Sequence, residues 1–176
     1  MFSFQNPSLI ADQLLERTIP VDNLKLVYCL VANVERYQEF VPGWIDAKRS
    51  ALEFDGEKIC HTTEQTVGLP GVLFARKTFS THTTLEPYSK ITVLAEDKSF
   101  RLTWTFEKTN SSNRETGQTG CTIIRCKSEL ATNNPLVRLL QTTHLETTVL
   151  AFEREALRRI RTEDPSSCEQ LTAFLQ

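Results

Sequence analysis

From Phe100 to Phe106 the chain alternates strictly, with Phe100, Leu102, Trp104 and Phe106 on one parity and Arg101, Thr103, Thr105 and Glu107 on the other. A period of two means a strand with one dry and one wet face. The same reading predicts a first strand over Leu14 to Val21, with Asp22 able to cap a helix. Leu24, Val27, Tyr28 and Val31 then recur at helical spacing. Asn33 is placed to cap a short second helix carrying Tyr37, Phe40 and Val41, which Pro42-Gly43 ends. Strands are predicted over Trp44 to Phe54 and Lys58 to Gly68, joined by the hairpin signal Asp55-Gly56. Lys77 to Glu86 follows, then Ile91, Val93 and Ala95, then the opening stretch, then Cys121 to Leu130. Thr109 to Gly120 is polar and reads as a loop.

A long helix closes the pattern. Asn134 suits its cap and Pro135 its first position, where a missing N–H is harmless. Leu145, Val149, Phe152, Ala156 and Ile160 form its apolar stripe, and Asp164-Pro165 ends it. Consecutive strands with tight turns make an antiparallel sheet, whose dry face needs a covering layer. One long helix is available to cover it. The expectation is an α+β helix-grip fold, a curved antiparallel sheet around a C-terminal helix, enclosing a hydrophobic cavity. The domain is expected over residues 14–162, between an extension at 1–13 and a tail at 163–176.

Composition changes this picture little. Forty per cent apolar, 24 per cent charged and a net charge of −2 are ordinary values, with no basic excess for a nucleic-acid backbone. The longest nearly uncharged apolar run, Leu26 to Val34, falls far short of the roughly 20 residues that span a bilayer. The five cysteines form no C-x-x-C pair and read as buried thiols. Asp12 and Glu16 precede the first basic residue, Arg17, so the N-terminal segment does not read as a mitochondrial presequence.

Catalytic signatures are missing. His61, His82 and His144 have no metal-ligand spacing, and the chain has no nucleophile elbow, P-loop or dinucleotide fingerprint. The histidines are expected to be solvated or capped. Glu64, Glu86, Glu96 and Glu107 are expected in structural or solvating roles. What remains is apolar lining, either plain core or the wall of a ligand site. The residues assigned to ligand contact are Val67, Leu69, Phe74, Phe79, Thr81, Phe100, Leu102, Trp104, Phe106, Ile124, Leu145, Val149 and Phe152. The segment Gly68-Leu69-Pro70-Gly71-Val72-Leu73-Phe74 is apolar where loops are usually polar. It suits either a plug in one end of the cavity or a lid that meets a bilayer. Leu136, Val137, Leu139 and Leu140 are placed to widen the same patch.

Four motifs in order resemble the coenzyme Q-binding START-domain family. Val31, Val34, Tyr37, Phe40, Val41, Pro42 and Trp44 match its helix-to-turn pattern, with Gly43 inserted before Trp44. "VGLPGVLFARKTFST", "FRLTWTFE" and "NPLVRLLQTTHLETTVLAFEREA" resemble its later strands and closing helix. "CKSELATNNPL" and Arg154-Glu155-Ala156 depart from it. The resemblance implies a tunnel that binds ubiquinone or a late polyprenyl-quinone intermediate, with no catalytic cofactor. It implies a carrier or chaperone, not an enzyme, serving respiratory electron transport and coenzyme Q biosynthesis. The implied place is the matrix side of the mitochondrial inner membrane, in peripheral contact with it, with respiratory complexes or quinone-biosynthesis enzymes as partners. Two alternatives stay open at this point: an aromatase/cyclase-type enzyme of the same superfamily, and a ribosome-associated interaction module.

Overall fold

The computed structural model describes residues 11–68, 76–109, 120–132 and 135–162. The expected extension, the tail, Asn134 and the candidate contacts Leu69 and Phe74 lie outside the described residues, apart from Ala11–Gln13. So do Val72, Leu73 and the side chains of Leu136 and Val137.

The element order is β1 (Ala11–Ile19), α1 (Leu24–Ala32), a 3-10 helix (Val34–Glu39), β2 (Trp44–Arg49), β3 (Glu53–Asp55), β4 (Lys58–Gly68), β5 (Arg76–Glu86), β6 (Lys90–Ala95), β7 (Phe100–Thr109), β8 (Cys121–Leu130) and α2 (Pro135–Thr162). The strands form one antiparallel sheet in the order β1-β8-β7-β6-β5-β4-β2, with β3 pairing β4. This is the expected helix-grip architecture.

Local chemistry explains the departures from expectation. Asn23, not Asp22, caps α1, its Oδ1 accepting from Leu26 N at 3.0 Å. The single strand expected over Trp44 to Phe54 breaks in two, and Ser50, Ala51 and Leu52 lie between the pieces. The first strand begins at Ala11, ahead of the expected domain boundary. Ile160 is 41% exposed and Arg159 takes the buried place, 2% exposed. After Leu145, Val149, Phe152 and Ala156, a step of three keeps closer to the 3.6-residue turn than a step of four. Arg159 is tolerated there because its Nε donates to Glu155 Oε1 at 2.7 Å.

The register turns the concave face into rows. Ile59, Leu85, Ile91, Trp104 and Cys126 stand side by side from β4 to β8. The next row is His61, Thr83, Val93, Leu102 and Ser128. Beyond it come Thr63, Thr81 and Ala95, then Gln65 and Phe79, then Val67 and Lys77. The main core lies at the other end, toward Ile19, Tyr28, Phe106, Ile124 and Phe152.

Candidate functional site: a cavity over half of the concave sheet

A cavity of about 350 Å³ separates the sheet from the first half of α2. Phe79 and Phe100 meet edge to face at 5.7 Å on its sheet side. Val93, Leu102 and Trp104 continue that wall, and Leu140, Leu145 and Thr148 of α2 face it. The size is at the lower end of small-molecule sites, about 300–1,000 Å³. Exposed Lys77 and 42% exposed Leu140 mark its open end. Buried His61, Thr83 and Ile91 mark the other.

Of the residues assigned from sequence, the structure brings Val67, Phe79, Phe100, Leu102, Trp104 and Leu145 to the cavity wall. Five others stand elsewhere. Phe106 packs on Tyr28 of α1, with ring centres 5.1 Å apart. Ile124, Val149 and Phe152 are at most 1% exposed within the core. Phe152 stands behind the wall, against Trp104 and Tyr37. Thr81 is buried and accepts from Gln65 Nε2 at 3.0 Å, so it holds a wall residue in place. Alternation reports which way a side chain points; it does not report whether another layer fills the space opposite.

Trp44 reaches the cavity through two local devices. Gly43 has φ +82°, a left-handed turn that glycine adopts freely, and its carbonyl accepts from Gly68 N at 2.8 Å. A register shift between Trp44 and Asp46 lets Trp44 and Ala47 both face inward, which a strict period of two forbids. The insertion of Gly43 is thus part of how Trp44 is aimed. Trp44 stacks on His144 of α2, with ring centres 5.6 Å apart.

The two cavity histidines overturn the expectation of solvated or capped side chains. His144 is half-buried against Trp44, and burial lowers its pKa. His61 is 4% exposed, and neither ring nitrogen has a hydrogen-bond partner. Burial, with the positive charge of Arg49 second, pushes its pKa down to about 4. His61 is therefore a neutral imidazole at physiological pH. Its parity with Ile59 and Val67 on β4 was the available signal for an inward position. Gln65 and Gln141 add amides to the wall, and Gln141 Nε2 donates to Ser128 Oγ at 3.4 Å.

Among the described residues no group of three acidic, histidine or cysteine side chains is arranged to hold a metal ion. None of their helices is long and apolar enough to cross a membrane. Burial raises the thiol pKa of Cys126 well above its ordinary value, which suits a packing role rather than a nucleophile.

A curved sheet gripping one long helix over an apolar cavity defines a START-like helix-grip domain. The sequence model of the family described as polyketide cyclase / dehydrase and lipid transport matches residues 23–153, and the chain belongs to that family. No curated protein matches the sequence. Similar solved structures include an 18 kDa protein from Caulobacter crescentus, 20% identical with a TM-score of 0.63, covering 85% of this chain and 97% of that one. The Zhui aromatase/cyclase from Streptomyces sp. R1128 is 13% identical with a TM-score of 0.61, covering 88% and 98%. A START superfamily protein from Mycobacterium smegmatis is 15% identical with a TM-score of 0.61, covering 84% and 97%. At these identities the likeness is one of fold. The expectation of a non-enzyme is corrected here: the family takes in cyclases and dehydrases, and the Zhui enzyme shares the fold.

Proposed function

We propose that this protein binds coenzyme Q, or a late polyprenyl-quinone intermediate, in the cavity and carries it for respiratory electron transport and coenzyme Q biosynthesis. The observation that carries this reading is the wall itself: mostly aromatic and aliphatic along its length, with His61 and Thr83 among its polar residues at the buried end. A ring with a few oxygens suits the buried end, and an apolar tail suits the rest. A cavity of about 350 Å³ takes the ring and the start of the tail, so a long tail continues past the mouth. Leu139, 62% exposed, and Leu140 stand at that side of α2 and suit contact with a bilayer. The motif resemblance supports the choice of quinone and a place on the matrix face of the mitochondrial inner membrane. Respiratory complexes and quinone-biosynthesis enzymes are then the partners.

Organic extraction of purified protein followed by mass spectrometry tests the ligand. A polyprenyl quinone at near-equimolar amount is expected; extracts free of any polyprenyl ring compound contradict the reading. Cyclisation of a polyketide is the second reading, favoured by the family match and by the fold shared with the Zhui aromatase/cyclase. Turnover of a poly-ketone chain by the purified protein would support it.

A further inference from the structure

Most cations on this molecule are matched. Arg17, Lys58, Lys90, Arg101, Lys108 and Arg125 each pair with a carboxylate. The open end of the cavity is different. Lys77 lines it, Arg76 precedes Lys77 on β5, and Arg138 stands shortly before Leu140 on α2; all three are exposed. Among the described residues none of the three forms a salt bridge or a side-chain hydrogen bond. Two carboxylates of that end are engaged already. Asp97 accepts from Ser99 N at 2.9 Å, and this bonding, with the charge of Lys77 behind it, holds its carboxyl below the usual range. Glu129 pairs with Arg101 and Lys127.

The sequence around the opening carries the same bias. α2 follows β8, whose last residue, Leu130, stands opposite Phe100 of the cavity wall, so its first turns lie over that end of the sheet. Residues 68–79 and 135–145 hold three cations and no carboxylate, in a chain of net charge −2. Beside these cations Leu139 is 62% and Leu140 42% exposed. An acidic protein surface would answer the cations and leave the leucines in contact with polar groups. A bilayer with anionic headgroups answers both, since phosphates meet the cations while the leucines enter the acyl boundary.

Resting on the reading of this opening as the place where cargo meets a membrane, we infer that it docks on a bilayer carrying anionic phosphate headgroups, with Lys77 and Arg138 on the headgroups and Leu139 and Leu140 below them. Docking in this pose turns the apolar wall toward hydrocarbon, so cargo passes between membrane and cavity without crossing water. Surface electrostatics of this kind fall off within a Debye length, so the attachment is sensitive to salt.

Flotation of lipid-stripped protein with vesicles tests this, using phosphatidylcholine alone and equal parts of phosphatidylcholine and phosphatidylglycerol. The native protein should partition at least tenfold more strongly onto the anionic vesicles, and high salt should remove most of that gain. Lys77→Gln and Arg138→Gln should each lose about fivefold. Arg154, in the later turns of α2, also lacks a salt bridge, so Arg154→Gln serves as the control and should change partitioning less than twofold. Equal partitioning of the native protein onto both vesicles, no flotation with either, or a loss in Arg154→Gln as large as in Arg138→Gln overturns the inference. Binding of a short-tailed ubiquinone in solution, with no vesicle present, reads the carrier function separately. It should be unchanged in Arg138→Gln, and it leaves the carrier reading standing when flotation fails. Flotation on anionic vesicles with no quinone bound overturns the carrier reading alone.

Discussion

One strand, β7, crosses both halves of the concave face, and the halves differ in what lies opposite. Phe106, 8% exposed, packs on Tyr28 of α1, and Trp104, 4% exposed, stands at the boundary, with Phe152 of α2 against it on one side and the cavity on the other. Phe100 and Leu102, with the same alternation, face the first half of α2 across a cavity. On β7 itself the inward side chains are apolar in both places. The cause of the difference is α1, a short helix of which Leu26 to Ala32 are all buried, packed against only one end of the sheet. A single strand therefore serves as core at one end and as ligand wall at the other.

The two halves should break differently. The largest expected effect is in the filled half: Phe152→Ala, at a residue 0% exposed, should cost about 3–5 kcal/mol by urea denaturation. A cost under about 1 kcal/mol would mean that this half is not close-packed. Next comes the pH dependence of the hollow half. The His61 pKa is held at about 4 in the folded protein, and the unfolded chain takes up the proton near 6.5. Between those values the unfolded state binds more protons, so stability falls as pH falls from about 6.5 to about 4 and His61 adds no further slope below that. The contribution is at most about 3.5 kcal/mol, from roughly 1.4 kcal/mol per unit of difference. Comparing denaturation of the native protein and His61→Gln at pH 7 and pH 4.5 isolates it; identical pH slopes would remove His61 from the account.

How much of this was legible in the sequence depends on the kind of signal. The alternation of β7, the Asp55-Gly56 turn and the spacing of Leu145, Val149 and Phe152 are local, and the elements they predict are in place. Occupancy of space is not local. Phe106 and Phe100 have the same parity, and only the packing of Tyr28 distinguishes core from wall. Trp44 needed a left-handed glycine and a bulge, which a strict period of two cannot express. His61 was read by its chemistry, as a polar residue, when its parity with Ile59 and Val67 already placed it inside. Arg159 replaced Ile160 because a guanidinium with a buried carboxylate beside it can occupy a helix stripe that composition reserves for apolar residues.

Smaller effects sharpen the comparison from the hollow side. Phe100→Ala opens space that is already open, so its cost should be about 1–2 kcal/mol. Its bound quinone, measured by extraction, should fall severalfold; a cost equal to that of Phe152→Ala would erase the distinction between the halves. Smallest in stability is Val93→Phe, which grows a side chain into the cavity rather than into packed neighbours. Its melting temperature should stay within about 2 °C of the native value, a shift corresponding to about 1 kcal/mol or less. Its ligand content should nevertheless drop. A large destabilisation would show that Val93 has no space before it.

The central claim is that the hollow half holds a quinone ring, and the protein carries its own reporter. Its two tryptophans, Trp44 and Trp104, both line the cavity. Titration of lipid-stripped protein with a short-tailed ubiquinone, followed by tryptophan emission, should give saturable quenching that ends at one equivalent, and Val93→Phe should lose it while remaining folded. Quenching that rises linearly without saturation, or is identical in Val93→Phe, would contradict the claim.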